Sequence, residues 1–199
     1  MDVDSLNQGL LRGRALAAPR ISHANHGATY YVFPLEVERL SGATDTLNVV
    51  LSQDLLLSCP VEPGEAYTCM GEVRSFNNHT GVGGRLIITF FAKHISPSQE
   101  QHANQLELRG VLCKAPVVRR TPLGREICDL LLAVNRRYGR ADYLPCIAWG
   151  GLARSCGELE VGDSLHLTGR LQSRVYHKVT DGREEDRVAY EVSILTLQD

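Results

Sequence analysis

Lysine is nearly absent from this 199-residue chain: only 3 of its 21 basic residues are Lys, so the positive charge is almost all arginine. Arginine pairs bidentately with phosphate and stacks on flat rings, whereas a formal net charge of −2 argues against a chain that is basic all over. Aromatics are scarce, at 6%, with a single tryptophan, Trp149. No run of eighteen apolar residues occurs, which excludes a membrane-spanning helix. The start, MDVDSLNQGL, is acidic where a signal peptide is basic and then apolar, so a cytoplasmic chain is expected. The six cysteines stand ten or more residues apart with no Cys-x-x-Cys pair, which argues against zinc and for reduced thiols, mostly in a core. There is no Gly-x-x-x-x-Gly-Lys-Ser/Thr loop, no Gly-x-Ser-x-Gly elbow and no His-Glu-x-x-His, so neither an enzyme nor a cofactor is expected. His23, His26 and His79 lack Cys or carboxylate partners at ligand spacing and read as loop histidines, not as a metal site.

What the chain does have is an internal repeat. At an offset of 97, residues 8–52 match 105–149 at 13 of 45 positions, where unrelated chains of average composition give roughly three. Leu11-Arg12-Gly13 falls on Leu108-Arg109-Gly110, Arg39 on Arg136 and Asp45 on Asp142; after a one-residue shift Ser75 answers Ser173. The expected domains are 1–103 and 104–199, with the polar stretch 96–103 as a linker. The first repeat has 7 Arg/Lys against 10 Asp/Glu, and the second 14 against 13. Within the second, Arg109 to Arg140 carries eight basic residues and only Glu126 and Asp129 as acids.

In the second repeat Leu106, Leu108, Gly110 and Leu112 alternate with polar residues, as do Leu165 to Leu171 and Val188 to Ile194. Period two means half-buried strands. Ile127 to Val134 and Tyr143 to Trp149 read as more deeply buried strands, and Gly150 to Glu158 as the one short helix. Five strands with a helical turn between the third and fourth is the order of the five-stranded Greek-key OB-fold barrel, so the fold class is all-β, two such barrels in tandem. A β-sandwich of similar length has the same periodicity and stays open at this point. Gly110 and Gly169, with Gly13 and Gly71 in the first repeat, suit a bulge or barrel corner. The acidic run 181–186 is expected to top the hairpin between the last two strands.

Four stretches of the second repeat, Arg109 to Gly124, Leu132 to Arg136, Ala141 to Trp149 and Gly169 to Tyr176, resemble in order the successive motifs of bacterial single-stranded DNA-binding proteins. The resemblance covers most of 105–197, and covers 8–95 mainly through the repeat. It implies an OB-fold that wraps single-stranded DNA, in assemblies of four OB-folds that a two-repeat chain reaches as a homodimer. Tyr138, Tyr143, Trp149 and Tyr176 fall at or near the family's stacking aromatics. Around them lie Arg119, Arg120, Arg125, Arg136, Arg137, Arg140, Arg170, Arg174 and Lys178, the makings of a basic groove. The family usually continues into a flexible segment with an acidic tip that recruits partners; here the sequence stops at Leu197-Gln198-Asp199, so recruitment is expected to be absent or supplied elsewhere.

In the first repeat Ser41, Thr46, Ser52 and Asn78 stand where the four aromatics are, and Leu40 and Ala43 replace Arg137 and Arg140. It is expected to be mainly structural, with Tyr30, Tyr31, Phe33, Phe90 and Phe91 filling core or interface and Phe76 as the one residual DNA contact. The function expected is sequence-nonspecific single-stranded DNA binding in replication, recombination or repair. The alternative is an OB-fold adaptor whose main partner is another replication or recombination protein.

Overall fold

A computed structural model describes residues 6–78, 86–136, 139–180 and 183–198. The first repeat contributes β1 (Asn7–Ala15), β2 (Arg20–Asn25), β3 (Ala28–Glu38), β4 (Thr44–Ser52), α1 (Gln53–Ser58), β5 (Ala66–Asn77) and β6 (Leu86–Pro97). The second contributes β7 (Ala103–Leu112), β8 (Val117–Arg120), β9 (Glu126–Asn135), β10 (Ala141–Trp149), α2 (Gly151–Gly157), β11 (Ser164–Thr180) and β12 (Arg183–Gln198). The fold is all-β, two OB barrels in tandem. Each closes through a short parallel pairing, Val49↔Phe90 and Cys146↔Val192, and through an antiparallel contact of its first strand with its third, β1 with β3 and β7 with β9.

The strand order β2-β3-β4-β6-β5-β1-β7-β11-β12-β10-β9-β8 shows how the repeats join. Strand β1 pairs antiparallel with β7 from Asn7↔Leu108 to Arg12↔Ala103, so one ladder runs through both barrels. Strand β6 runs to Pro97 and β7 starts at Ala103, which leaves only residues 98–102 outside the sheet between the repeats. The short strands β2 and β8, one per repeat, add a sixth strand to the five read from periodicity. Every residue of both is exposed, so neither shows the alternation that reveals a strand.

The inward residues Leu11, Leu35, Leu47 and Phe90 of the first barrel and Leu108, Leu132, Leu144 and Leu167 of the second are fully buried in one cluster. Of the cysteines, Cys69, Cys128, Cys146 and Cys156 are buried and all six are unpaired thiols. Burial pushes the Cys69 thiol up to about 12, which keeps it protonated and inert.

Glycine is required where the longest strands bend. The ladder shifts register between Met70 and Gly71 and, at the matching place, between Thr168 and Gly169. A Cβ on Gly71 would lie 2.0 Å from the carbonyl oxygen of Phe91, and one on Gly169 2.6 Å from that of Ser193. Backbone cannot yield as a flexible side chain would. Gly71→Ala is therefore expected to cost about 1–3 kcal/mol of unfolding free energy by overpacking, read from urea denaturation. Just past each bulge an asparagine side chain takes the place of a strand: Asn7 bonds both backbone groups of Val73, and Asn104 both of Leu171.

Candidate nucleic-acid interface

Strand alternation sorts the expected contact residues onto one surface. In β10 the even-numbered Asp142, Leu144, Cys146 and Ala148 are buried inward, which turns Tyr143, Pro145, Ile147 and Trp149 to the outer face. Residues directly opposite in a ladder share a face. Trp149 opposes Ile127, which opposes Arg119 of β8, so indole, isoleucine and guanidinium form one rung. On the other side Ile147 pairs with Ser193 and Ser193 with Arg170, and the same face continues through Glu191↔Gln172, Ala189↔Arg174 and Arg187↔Tyr176. Trp149 is 39% and Tyr143 48% exposed, high for residues of an inner strand of the sheet. Tyr176 is half-buried, with the Arg174 guanidinium 5.8 Å from its ring centroid. A single face thus carries Trp149, Tyr143, Tyr176, Arg119, Arg170 and Arg174.

Three of the thirteen expected residues are not placed by side chain. Arg137 and Tyr138 lie outside the described residues; Lys178 stands in β11 opposite Glu185, with its side chain outside them. Arg125 is exposed in the β8–β9 turn and Arg140 in the β9–β10 turn. Arg187, opposite Tyr176 on the same face, was missed by the sequence reading. Its signal was present, since it keeps period two with Ala189 and Glu191, but it sits beside the acidic run 181–186.

The basic stretch is less free than its sequence charge suggests. Both of its acids are engaged: Asp129 pairs with Arg119, and Glu126 with Arg120 and with Arg154, at 3.2 and 3.3 Å. These pairs are partly exposed, and such pairs exchange readily for other anions. Arg170 differs in being half-buried, its Nε without a hydrogen-bond partner among the described residues.

Arg136 is placed elsewhere. Its Nε donates to Asp142 at 2.5 Å, and its Nη2 donates across the repeat boundary to the Ser75 carbonyl at 3.0 Å. Ser75 N–H donates to Asp142 at 2.6 Å, and the Tyr143 N–H donates to Ser75 Oγ at 2.7 Å. The repeat generates the reciprocal contact: Arg39 bonds Asp45 at 2.7 Å and the Ser173 carbonyl at 3.2 Å, while Ser173 N–H donates to Asp45 at 2.7 Å. The hydrogen bonds that it donates to Asp45 hold the Arg39 guanidinium above its usual pKa. Asp45 and Asp142 are both fully buried. Two crossed Arg–Asp–Ser clamps thus fasten the β3–β4 region of the first repeat to β11 of the second and the β9–β10 region of the second to β5 of the first, and Arg136 serves as a clamp residue.

In the first repeat the aromatics divide between the core and the outer face. Phe33 and Phe90 are core, fully buried, as expected, but Tyr30 and Phe91 are only half-buried on the outer face. There Tyr30 stacks on His23 at 4.9 Å and meets Phe91 at 5.6 Å. His23 is a strand residue of β2, not a loop one; His26 does lie in the turn that follows, and His79 is outside the described residues.

Residues 103–198 match the model of the single-strand binding protein family. A single-stranded DNA-binding protein of Thermus thermophilus is 38% identical over 99 residues, covering 48% of this chain and 36% of that protein. Single-stranded DNA-binding protein 2 of Listeria innocua is 33% identical over 87 residues, covering 40% of this chain and 54% of its own. The chain thus spans from about a third to about half of the length of these curated relatives. In three dimensions the crystal structure of wild-type single-stranded DNA binding protein from Thermus aquaticus superposes with a TM-score of 0.79 at 25% identity, over 98% of this chain and 92% of that one. Motif order, barrel topology and superposition agree: the second repeat, residues 103–198, belongs to the single-strand binding protein family, and the likeness in fold extends over both repeats.

Proposed function

We propose that the protein binds single-stranded DNA with little sequence preference in replication, recombination or repair, as a non-catalytic cytoplasmic protein associated with the nucleoid. The observation that carries this is the outer face of the second barrel, where exposed Trp149 and Tyr143 share a surface with Arg119, Arg170 and Arg174. Unpaired bases offer flat apolar faces and a phosphate at every step, and this face offers rings and guanidiniums. The second repeat, 104–199, is the principal DNA-binding unit, and a homodimer supplies four OB-folds. No helix among the described residues is long and apolar enough to cross a membrane.

Titration with poly-dT at low salt tests the reading directly: Trp149 emission is expected to be quenched as complex forms. Unchanged emission with no complex would sink it. Sedimentation of the free protein is expected to give twice the mass of one chain.

Affinity should also fall with salt, because phosphate contacts release condensed counterions, with a slope of about −0.7 per contact for single strands. Arg174, exposed and with Nε 3.8 Å from Glu191, is loosely held and available to phosphate. Arg174→Ala is expected to reduce the slope of log K against log salt by about 0.7. A slope equal to that of wild type would remove Arg174 from the phosphate path.

A further inference from the structure

The strand that carries Arg174 and Tyr176 leaves the barrel before it reaches them. Strand β11 last pairs with β7 at Gly169↔Leu106, and β12 meets β10 only from Val192 onward. From Gln172↔Glu191 to Thr180↔Arg183 these two strands pair with each other alone among the described residues. Two paired strands without a third are marginally stable on their own in water. The direction of this hairpin, and with it the place of Arg174 and Tyr176, therefore depends on what holds it from outside. Opposite residues of a ladder share a face, so Ser173 and its partner Tyr190 point away from the face of Gln172, Arg174 and Tyr176. Both are held from the β3–β4 region of the first repeat. The Ser173 N–H donates to Asp45 at 2.7 Å, its carbonyl accepts from Arg39 at 3.2 Å and its Oγ accepts from the Thr46 N–H at 3.2 Å. Asn48, two residues beyond Thr46 on β4, donates from Nδ2 to the Tyr190 hydroxyl at 3.2 Å.

The hold on Ser173 has a counterpart in the other repeat; the hold on Tyr190 has none. Arg136, Asp142 and the Tyr143 N–H bond Ser75 as Arg39, Asp45 and the Thr46 N–H bond Ser173. Where the first repeat has Asn48 the second has Pro145, and the ladder partner of Ser75, in the place of Tyr190, is Ile88. Neither proline nor isoleucine has a side-chain hydrogen-bonding group. The additional bond thus belongs to the hairpin that carries Arg174 and Tyr176. Burial holds the Tyr190 hydroxyl above its usual pKa, so it stays neutral and able to accept from Asn48. We propose that Asn48 and Tyr190 are positioning residues for DNA binding: together with the Arg39–Asp45 clamp at Ser173, their bond lets the first repeat fix the hairpin so that it presents Arg174 and Tyr176 to the strand. This role rests on the single-strand reading of the second barrel's outer face. Both residues act from behind that face.

Tyr190→Phe keeps the ring and loses only the hydroxyl, and Asn48→Ala removes the other end of the bond. A bond can bias the placement of the hairpin by no more than its own net contribution, so each variant is expected to weaken poly-dT binding by about two- to tenfold. The slope of log K against log salt should move toward that of Arg174→Ala, a change that a general loss of stability would not produce. The double variant should bind as either single one does, because both remove the same bond. Trp149 emission should still be quenched as fully at saturation, since Trp149 stands on β10, outside the hairpin. In an Arg174→Ala/Tyr176→Ala background neither replacement should weaken binding beyond about twofold, the ligands that it positions being gone. Wild-type affinity and slope in both Tyr190→Phe and Asn48→Ala would overturn the positioning role and leave the single-strand reading intact, and so would losses as large in the background without Arg174 and Tyr176. A wild type that binds no poly-dT would overturn that reading as well.

Discussion

Asp142→Ala is expected to lower the unfolding free energy by about 3–5 kcal/mol, the cost typical of removing one partner from a buried ion pair. Asp142 is fully buried and accepts from Arg136, from Arg74 at 3.1 Å and from the Ser75 N–H at 2.6 Å. Arg136 and Arg74 have side chains only 17% and 21% exposed. Without the carboxylate, two guanidiniums of like charge face each other and a backbone donor is stranded, which is why the loss exceeds that of a surface pair. For a chain of this size it should lower the melting temperature by about 6–20 °C. Asp45→Ala is expected to cost less, because the place of Arg74 is taken by Gln172, which bonds Glu191 instead, so a single guanidinium is orphaned. Urea denaturation of both variants checks the order. A loss below about 1 kcal/mol for Asp142→Ala would mean that water reaches the carboxylate and the clamp contributes little.

The clamps show where the sequence could be read and where it could not. Arg39 with Arg136, Asp45 with Asp142 and Ser75 with Ser173 are all matched across the repeats, so the residues were visible. Their purpose was not. Arg136 and Asp142 are six apart and easily paired across a turn, but Ser75 lies 61 residues from Arg136 and meets it only because β1 and β7 hold the barrels together. Charge counting grouped Arg136 with the other arginines, because a sequence does not show which of them has a buried partner. The barrel strands were legible from alternation, which burial of one face imposes, whereas β2 and β8 are exposed on every side and left no pattern. Trp149 and Tyr143 were legible through the family resemblance, and the alternation of β10 is what turns their rings outward. The outward rings of the first barrel were hidden by alignment itself: Tyr30 stands at the position of Ile127, the rung partner of Trp149, and only the ladder shows that the two rings occupy one rung.

Trp149→Ala is expected to weaken binding of poly-dT by about 5- to 150-fold, the equivalent of the roughly 1–3 kcal/mol that one base–aromatic stack contributes. Tyr176→Ala is expected to fall toward the lower end, since its ring is smaller and half-covered, and Arg174 above it can still hold a phosphate. The two rings stand toward opposite ends of the face: Trp149 lies two residues beyond Ile147, whose partner is Ser193, and Tyr176 opposes Arg187, six residues before it. Without shared partners their effects should add, so the double variant should lose the product of the two factors. Trp149→Phe should keep most of the affinity, because a ring remains to stack upon, and this separates stacking from bulk. A labelled oligonucleotide reports binding once the indole is gone. Neither alanine variant should melt much below the wild type, because both rings reach the surface. If Trp149→Ala bound poly-dT within twofold of wild type with its fold intact, the outer face of the second barrel would not be where bases stack, and the strand would have to be sought along the first barrel instead.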